Sequence, residues 1–502
     1  MMDLTATQIA EITGGTLTAG ADPEAVVTTV ATDSREVTAG TLFVAKPGEV
    51  ADGHDFIPAA LAAGASLILA ERETADEDGR PHPAVVVPDA VIAMGTLAAD
   101  HVARLRAAGP LTVVGITGSA GKTTTKDLTT ALLATQGPTV GPIGSYNGEV
   151  GVPLTVFTAG PQTRFLVIEM GATQRGNIAY LADMVRPDLG AVLMVGTAHL
   201  GEFGSVENIV ATKGELVEAL PASGIAVLNH DDDRVRSMAD RTGATVLWFT
   251  ADPDAGATPE LADAVRATDV RTDADGHPLF TLHLPAGPAG AAQEHPVQSR
   301  LIGVHHVGNL LASAALAHAA GVPGATIAEV LTASGAVSRW RMERTDRADG
   351  VTVINDAYNA NPDSMRAALR TLAALGADSG RRTWAVLGTM LELGVDSVAE
   401  HDAIGRAAVR LNINQLVVVG EDARALHTGA VMEGSWGDES RWVPDVEAAE
   451  ALLAETLRPG DIVLVKSSNG AGLRHLGDRI AWGPMSSQDT DEGPAAPEVT
   501  AP

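Results

Sequence analysis

Short, nearly continuous apolar runs alternate along the chain with amphipathic stretches of helical period. In the first hundred residues the runs are Thr41–Ala45, Ser66–Ala70 and Ala84–Val87, with a helix expected over Ile57–Ala63. Ala107–Pro110 breaks this pattern and reads as a linker. A second series follows at Leu111–Ile116, Phe165–Ile168, Ala191–Val195 and Ile225–Leu228, and a third after Ser338 at Val351–Ile354, Trp384–Leu387, Leu416–Val419 and Ile462–Val465. Strands that are apolar on both faces and separated by helices belong to mostly parallel sheets covered on both sides. The expected fold is therefore α/β in three domains: a small N-terminal α/β domain over 1–108, a central parallel-sheet domain over 109–335, and a Rossmann-like domain over 336–483. Residues 484–502, rich in Ser, Asp, Glu, Pro and Ala, read as a disordered tail. Residues 251–300 read as an irregular excursion, and 303–320 as a loop leading into a helix. The third series has no G-x-G-x-x-G, so a dinucleotide site is not indicated there.

Composition narrows the chemistry. Acids outnumber bases 63 to 34, a formal charge of −29. That argues against a general affinity for nucleic acid or anionic membrane, because a basic surface supplies most of such attraction. An anionic ligand must be held by local devices instead. The chain has no cysteine, which excludes disulfides, thiolate zinc sites, iron–sulfur clusters and thiol nucleophiles. The N-terminus lacks a basic segment followed by an apolar one, and no apolar run reaches the ~20 residues of a membrane span. A cytoplasmic protein is expected.

One such local device is visible. Thr117-Gly118-Ser119-Ala120-Gly121-Lys122-Thr123-Thr124 follows an apolar strand and precedes a helix. Glycines let backbone N–H groups turn toward phosphates, the helix N-terminus adds positive potential, Lys122 reaches β/γ-phosphate oxygens and Thr123 offers a hydroxyl to Mg²⁺. The spacing departs from G-x-x-x-x-G-K-[ST], since position 116 is Ile. Glu169 ends a buried strand, where a Mg²⁺-holding carboxylate stands beside such a loop, although a carboxylate there also caps helices. His199 follows another strand at the edge where α/β sheets bind ligands, a place also held by ordinary loop histidines. Only five lysines occur (46, 122, 126, 213 and 466), the chain preferring Arg for surface charge, so Lys213 is either a helix-surface lysine or a group chosen for chemistry Arg cannot do.

Taken together these residues resemble the Mur ligase family, over almost the whole chain. Thr117–Thr123 is similar to the family's phosphate loop, Glu169 and His199 fall at its metal-site positions, and Lys213 falls at its carbamoylated lysine. Gly303-Val-His305-His306-Val-Gly-Asn309 resembles the G-x-H-N-x-x-N segment, with His306 where the pattern has Asn. Arg341-Met-Glu343 resembles the R-x-E that opens the third domain, and Asp356-Ala-Tyr358-Asn359-Ala-Asn361-Pro362 the motif whose Asp meets the nucleotide on closure. Thr32–Arg35 and Asp52–Phe56 resemble the uridine-binding domain, and Gly388–Gly394 also fits. Lys466-Ser-Ser-Asn469 stands where many relatives have Lys-Gly-Ser-Arg.

The resemblance implies an ATP-dependent amide-bond ligase of peptidoglycan precursor synthesis, working through an acyl phosphate. The Asp-x-Tyr-Asn-Ala-Asn-Pro form points to members that add D-alanyl-D-alanine to UDP-N-acetylmuramoyl-tripeptide. It further implies ATP and Mg²⁺ (two ions) as cofactors and a carbamate on Lys213. Lys122, Lys213 and His199 would be catalytic. Residues 117–124, Asn309, Arg341 and Asp356 would hold nucleotide, and Thr123, Glu169, His199 and Lys213 metal. Ser34, Arg35, Asn359 and Asn361 would meet substrate. A monomer without nucleic-acid partner or membrane insertion is expected. Two alternatives stay open: a sibling ligase adding a single amino acid, of Mur or folylpolyglutamate type, and a P-loop switch or transport ATPase.

Overall fold

The structure is a computed structural model; it describes residues 3–48, 51–142, 144–196, 200–252, 261–288, 290–434 and 439–482. The expected tail over 484–502 lies outside the described residues. Three large sheets carry the fold, and all three are mixed with parallel pairing predominant. Among the described residues no helix is long and apolar enough to cross a membrane.

The first sheet has the strand order Thr16–Leu17, Ala84–Val86, Ala65–Ala70, Thr41–Ala45, Thr29–Ala31, parallel except for its first pair. Alternate residues of its central strands serve opposite cores. Phe43, Ala45, Ile68 and Ala70 pack with Ile57 and Ala60 of the helix Ile57–Ala62. Leu42, Val44, Leu67 and Leu69 face the other way, toward the helix Ala90–Ala108. That helix buries residues on more than one side, and the same apolar cluster continues through it to Val152, Val156 and Ile178 of the central domain. The chain turns at Gly109-Pro110, after the helix rather than within it.

The central sheet has nine strands. In spatial order these are Gln293–Gln298, Pro278–Leu284, Val265–Thr272, Thr245–Thr250, Ile225–Asn229, Leu189–Val192, Thr112–Thr117, Phe165–Glu169 and Thr139–Val140. The seven from Val265–Thr272 onward are parallel and the first two extend the sheet antiparallel. The stretch expected to be irregular thus supplies three strands. Pro278–Leu284 alternates buried and half-buried positions, a period-two pattern that the surrounding Asp, Ala, Pro and Gly obscured. The helix His306–Ala319 is apolar almost all round because it lies between the sheet and the helix Lys122–Ala134.

The third sheet runs Glu343–Asp346, Thr352–Asn355, Ile462–Lys466, Thr383–Leu387, Gln415–Val419, Ser440–Val443, with only the first strand antiparallel. Apolar clusters cover both of its faces. The loop Gly388–Gly394 at its carboxyl edge is pinned by His401, which is fully buried. Nε2 of His401 accepts from the Met390 N–H at 2.9 Å, so Nδ1 carries the proton and donates to the Ser397 carbonyl at 2.6 Å. Burial holds the pKa of this histidine below its usual 6.5. A protonated ring would set two donors face to face at Met390. The unfolded chain binds this proton near pH 6.5 and the folded one only at lower pH, so the stabilisation is present above pH 6.5 and falls away below it. Thermal unfolding at pH 7.5 and 5.5 should therefore show a smaller acid-side drop for His401→Gln than for the parent; equal drops would assign the acid sensitivity elsewhere.

Candidate active site

The strand Thr112–Thr117 lies between Phe165–Glu169 and Leu189–Val192, and its carboxyl end opens directly into the glycine-rich turn. The helix begins at Lys122, directly after Gly121, which takes a left-handed φ of 82° at its head. A Cβ on Gly121 would come 2.2 Å from Asn309 Oδ1, so both conformation and space require glycine there. No side chain caps this helix, which leaves its first-turn N–H groups for an anion.

Lys122 Nζ donates to the Gly118 carbonyl at 2.9 Å. Burial lowers its pKa, Glu169 opposes that shift and Arg341 adds to it. Thr123 donates its hydroxyl to Glu169 Oε2 at 3.0 Å and accepts from Arg341 Nη2 at 3.3 Å. Glu169 is almost fully buried, and its Oε1 accepts from Ser145 Oγ at 3.0 Å and Asn147 Nδ2 at 2.8 Å. All three donors to this carboxylate are neutral, and among the described residues it has no ion-pair partner. A buried carboxylate beside a hydroxyl, lacking a protein cation in contact, suits a hard divalent cation with oxygen preference.

Lys213 lies in the helix Val206–Glu218 and is buried, with no hydrogen-bond or ion-pair partner among the described residues. Burial, and then the charge of Lys122, hold its pKa well below the usual lysine value. The direction of that shift favours the neutral amine over the ammonium.

The third domain closes over this edge. Its residues Arg341, Asp356, Tyr358, Asn359, Asn361 and Lys466 line one cavity of about 1040 Å³ with the phosphate loop, Glu169 and Asn309. Arg341 stacks over the Tyr358 ring at 4.3 Å. Asp356 accepts from Lys466 Nζ at 2.6 Å and from the Met342 N–H at 3.0 Å. Asn361 caps the helix Pro362–Ser379 and sends Nδ2 to the Ser119 carbonyl of the loop at 3.4 Å. At a second contact the Gly201 N–H donates to the Glu392 carbonyl at 3.1 Å.

Comparison with known proteins places this arrangement. Family models match residues 26–102 (Mur ligase family, catalytic domain), 116–317 (Mur ligase middle domain) and 340–469 (Mur ligase, glutamate ligase domain). The chain is 46% identical over 519 aligned positions to the UDP-N-acetylmuramoyl-tripeptide--D-alanyl-D-alanine ligase of Mycobacterium tuberculosis, covering 96% of this chain and 98% of that one. It belongs to the Mur ligase family. Among solved structures, MurF from Acinetobacter baumannii superposes with a TM-score of 0.82 at 28% identity, covering 96% of this chain and 99% of that one. MurF ligase from Thermotoga maritima in complex with ADP gives 0.73 at 27%, covering 91% and 97%.

Within this Mur ligase, the residues expected from sequence fall into four groups. Ser119 to Thr124, Glu169, Asn309, Arg341, Asp356, Asn359 and Asn361 share the cavity. Thr117, Gly118 and Lys213 are buried and do not line it: the Thr117 hydroxyl is spent on the Met170 carbonyl at 2.9 Å, and Lys213 is within reach of the Lys122 charge. Ser34 and Arg35 do not line it; they form a turn of the N-terminal domain in which Asp33 pairs with Arg35 at 2.7 Å. His199 lies outside the described residues. In the nearby Asp52–Phe56 motif, buried His54 accepts from the Glu71 N–H at 3.0 Å and contacts Asp52 at 2.6 Å, an internal brace for the turn. Ser145 and Asn147, which hold Glu169, went unread in the sequence. Their signal was the polar turn Gly144-Ser145-Tyr146-Asn147-Gly148 just before a helix, which carries no motif recognisable without its spatial partner.

Proposed function

We propose that this ligase joins D-alanyl-D-alanine to UDP-N-acetylmuramoyl-tripeptide at the expense of ATP, as a cytoplasmic monomer. The observation that carries the reading is the single cavity in which the phosphate loop, the buried Glu169 and the third-domain motifs Arg341, Asp356 and Asn361 meet. ATP lies with its phosphates against the uncapped N–H groups at the head of the helix Lys122–Ala134. The tripeptide carboxylate attacks the γ-phosphorus, the bond to the β-phosphate oxygen breaks, and ADP leaves behind an acyl phosphate. The dipeptide amine then attacks the acyl carbon and phosphate departs with the acyl oxygen. The first step brings two anions together, so it needs fixed positive charge; Lys122 and Arg341 supply it from opposite domains. The contacts of Asn361 with Ser119 and of Gly201 with Glu392 close the domains and keep water from the acyl phosphate.

Bound Mg²⁺ would add charge neutralisation at the transferring phosphoryl group. Thr123 and Glu169, with His199 and a carbamate on Lys213 by family resemblance, are the residues that would hold it. An exposed lysine would spend ~4–5 kcal/mol to be neutral at pH 7. Burial, and then the charge of Lys122, lower that cost here. Ser34 and Arg35 are assigned to the uridine nucleotide, and Asn359 and Asn361 to the third-domain side of the acceptor.

The test is ADP release with UDP-N-acetylmuramoyl-tripeptide, ATP and Mg²⁺. Turnover should require D-alanyl-D-alanine and fail with single amino acids. Turnover with a single amino acid would make it a sibling ligase, and steady hydrolysis without acceptor would make it a switch ATPase.

A further inference from the structure

His306 stands where the family segment has Asn, and the fold gives it an unusual place. It is the first residue of the helix His306–Ala319, is 5% exposed, and lines the cavity. Its Nδ1 meets Asn309 Nδ2 at 3.1 Å, one helical turn on. Its Nε2 is enclosed and has no hydrogen-bond partner among the described residues. An orphaned buried ring nitrogen costs stability, so a fold that keeps one calls for a compensating role. The bond to Asn309 supplies it. With Nδ2 held by His306, the Asn309 carboxamide is fixed in direction, and its Oδ1 lies against the α-carbon of Gly121 in the phosphate loop. A free carboxamide at the mouth of a nucleotide site would instead rotate and lose part of its binding contribution to that motion.

We propose that His306 is a positioning residue for nucleotide binding in this chain, holding the Asn309 carboxamide against Gly121 in the orientation that meets the nucleotide. The proposal rests on the nucleotide reading of this cavity given above. Burial, and then the neighbouring His305, keep the His306 pKa well below its ordinary value, so the ring is neutral and its Nδ1 is available to accept. The His305 ring lies against it with centroids 4.2 Å apart and planes tilted by 39°, which crowds the His306 ring.

The test is ADP titration by calorimetry on the full chain, with thermal unfolding measured on the same samples. Loss of one neutral hydrogen bond that orders a ligand-contacting group predicts about five- to tenfold weaker ADP binding for His306→Leu. The unfolding temperature should be unchanged or higher, because the orphaned nitrogen is gone. His306→Asn, which restores the family residue, should return affinity to near the parent value. In an Asn309→Leu background, His306→Leu should have no further effect on ADP. Weaker ADP binding accompanied by an equal loss of stability would mark a merely structural role and overturn the proposal. So would parental affinity in His306→Leu, or additive effects in the double variant. Failure of the parent protein to bind ADP would instead overturn the nucleotide reading, and this inference with it.

Discussion

Replacing Lys122 by Met should lower kcat for ADP release by about a thousandfold or more while the protein stays folded. That is the size found for removing one preorganised charge or donor from a water-poor site, ~4 kcal/mol of transition-state stabilisation. The physical reason is local. The chain carries a net −29, so its overall field opposes an approaching triphosphate, and the site must overcome that over a few ångströms. Lys122 is the loop's own cation, its Nζ donating to the Gly118 carbonyl within the loop. ADP affinity should fall less, since backbone N–H groups still hold the β-phosphate. Steady-state kinetics set beside calorimetric ADP binding separates the two quantities. A Lys122→Met enzyme within tenfold of the parent kcat would remove the loop from the chemistry.

Lys213→Ala should also be nearly inactive, and for a different reason. A lysine that is buried, without a partner among the described residues and within reach of another cation is badly placed as a cation. Carbamoylation turns the same atoms into an anion beside Lys122, an oxygen donor that an arginine cannot become. High bicarbonate should therefore fail to restore Lys213→Ala, short carboxylic acids should restore part of the rate, and Lys213→Arg should be as poor as the alanine variant. Protein equilibrated with ¹³C-bicarbonate should give a carbamate carbonyl resonance that Lys213→Ala lacks. Full activity in Lys213→Arg would end the carbamate reading, whatever the carboxylates do.

Much of this site could be read along the chain because its parts are local. A strand, a glycine turn, a lysine and a helix follow one another within about twenty residues, and each element's pattern is set by its own neighbours. The third-domain motif around Asp356 was legible for the same reason, since the Asn361-Pro362 helix start lies within it. Composition alone excluded cysteine chemistry and weighed against a basic nucleic-acid surface.

Other features needed the fold, because they depend on residues far apart in sequence. The strands between 265 and 298 pair with one another and with the central sheet, and their polar edge positions hid the alternation until pairing gave it a face. Ser145 and Asn147 matter only because the fold brings them to Glu169. Lys213 could be read from the sequence as a helix-surface lysine, and only the packed chain shows it buried within reach of the Lys122 charge. Asn361 reaches the loop carbonyl of Ser119 across 242 positions. Periodicity and turn chemistry act between residues a few positions apart, so the sequence could carry the elements and the motifs on them. Burial, electrostatic environment and cross-domain contact arise only when distant segments share a space, and so they waited for the packed chain.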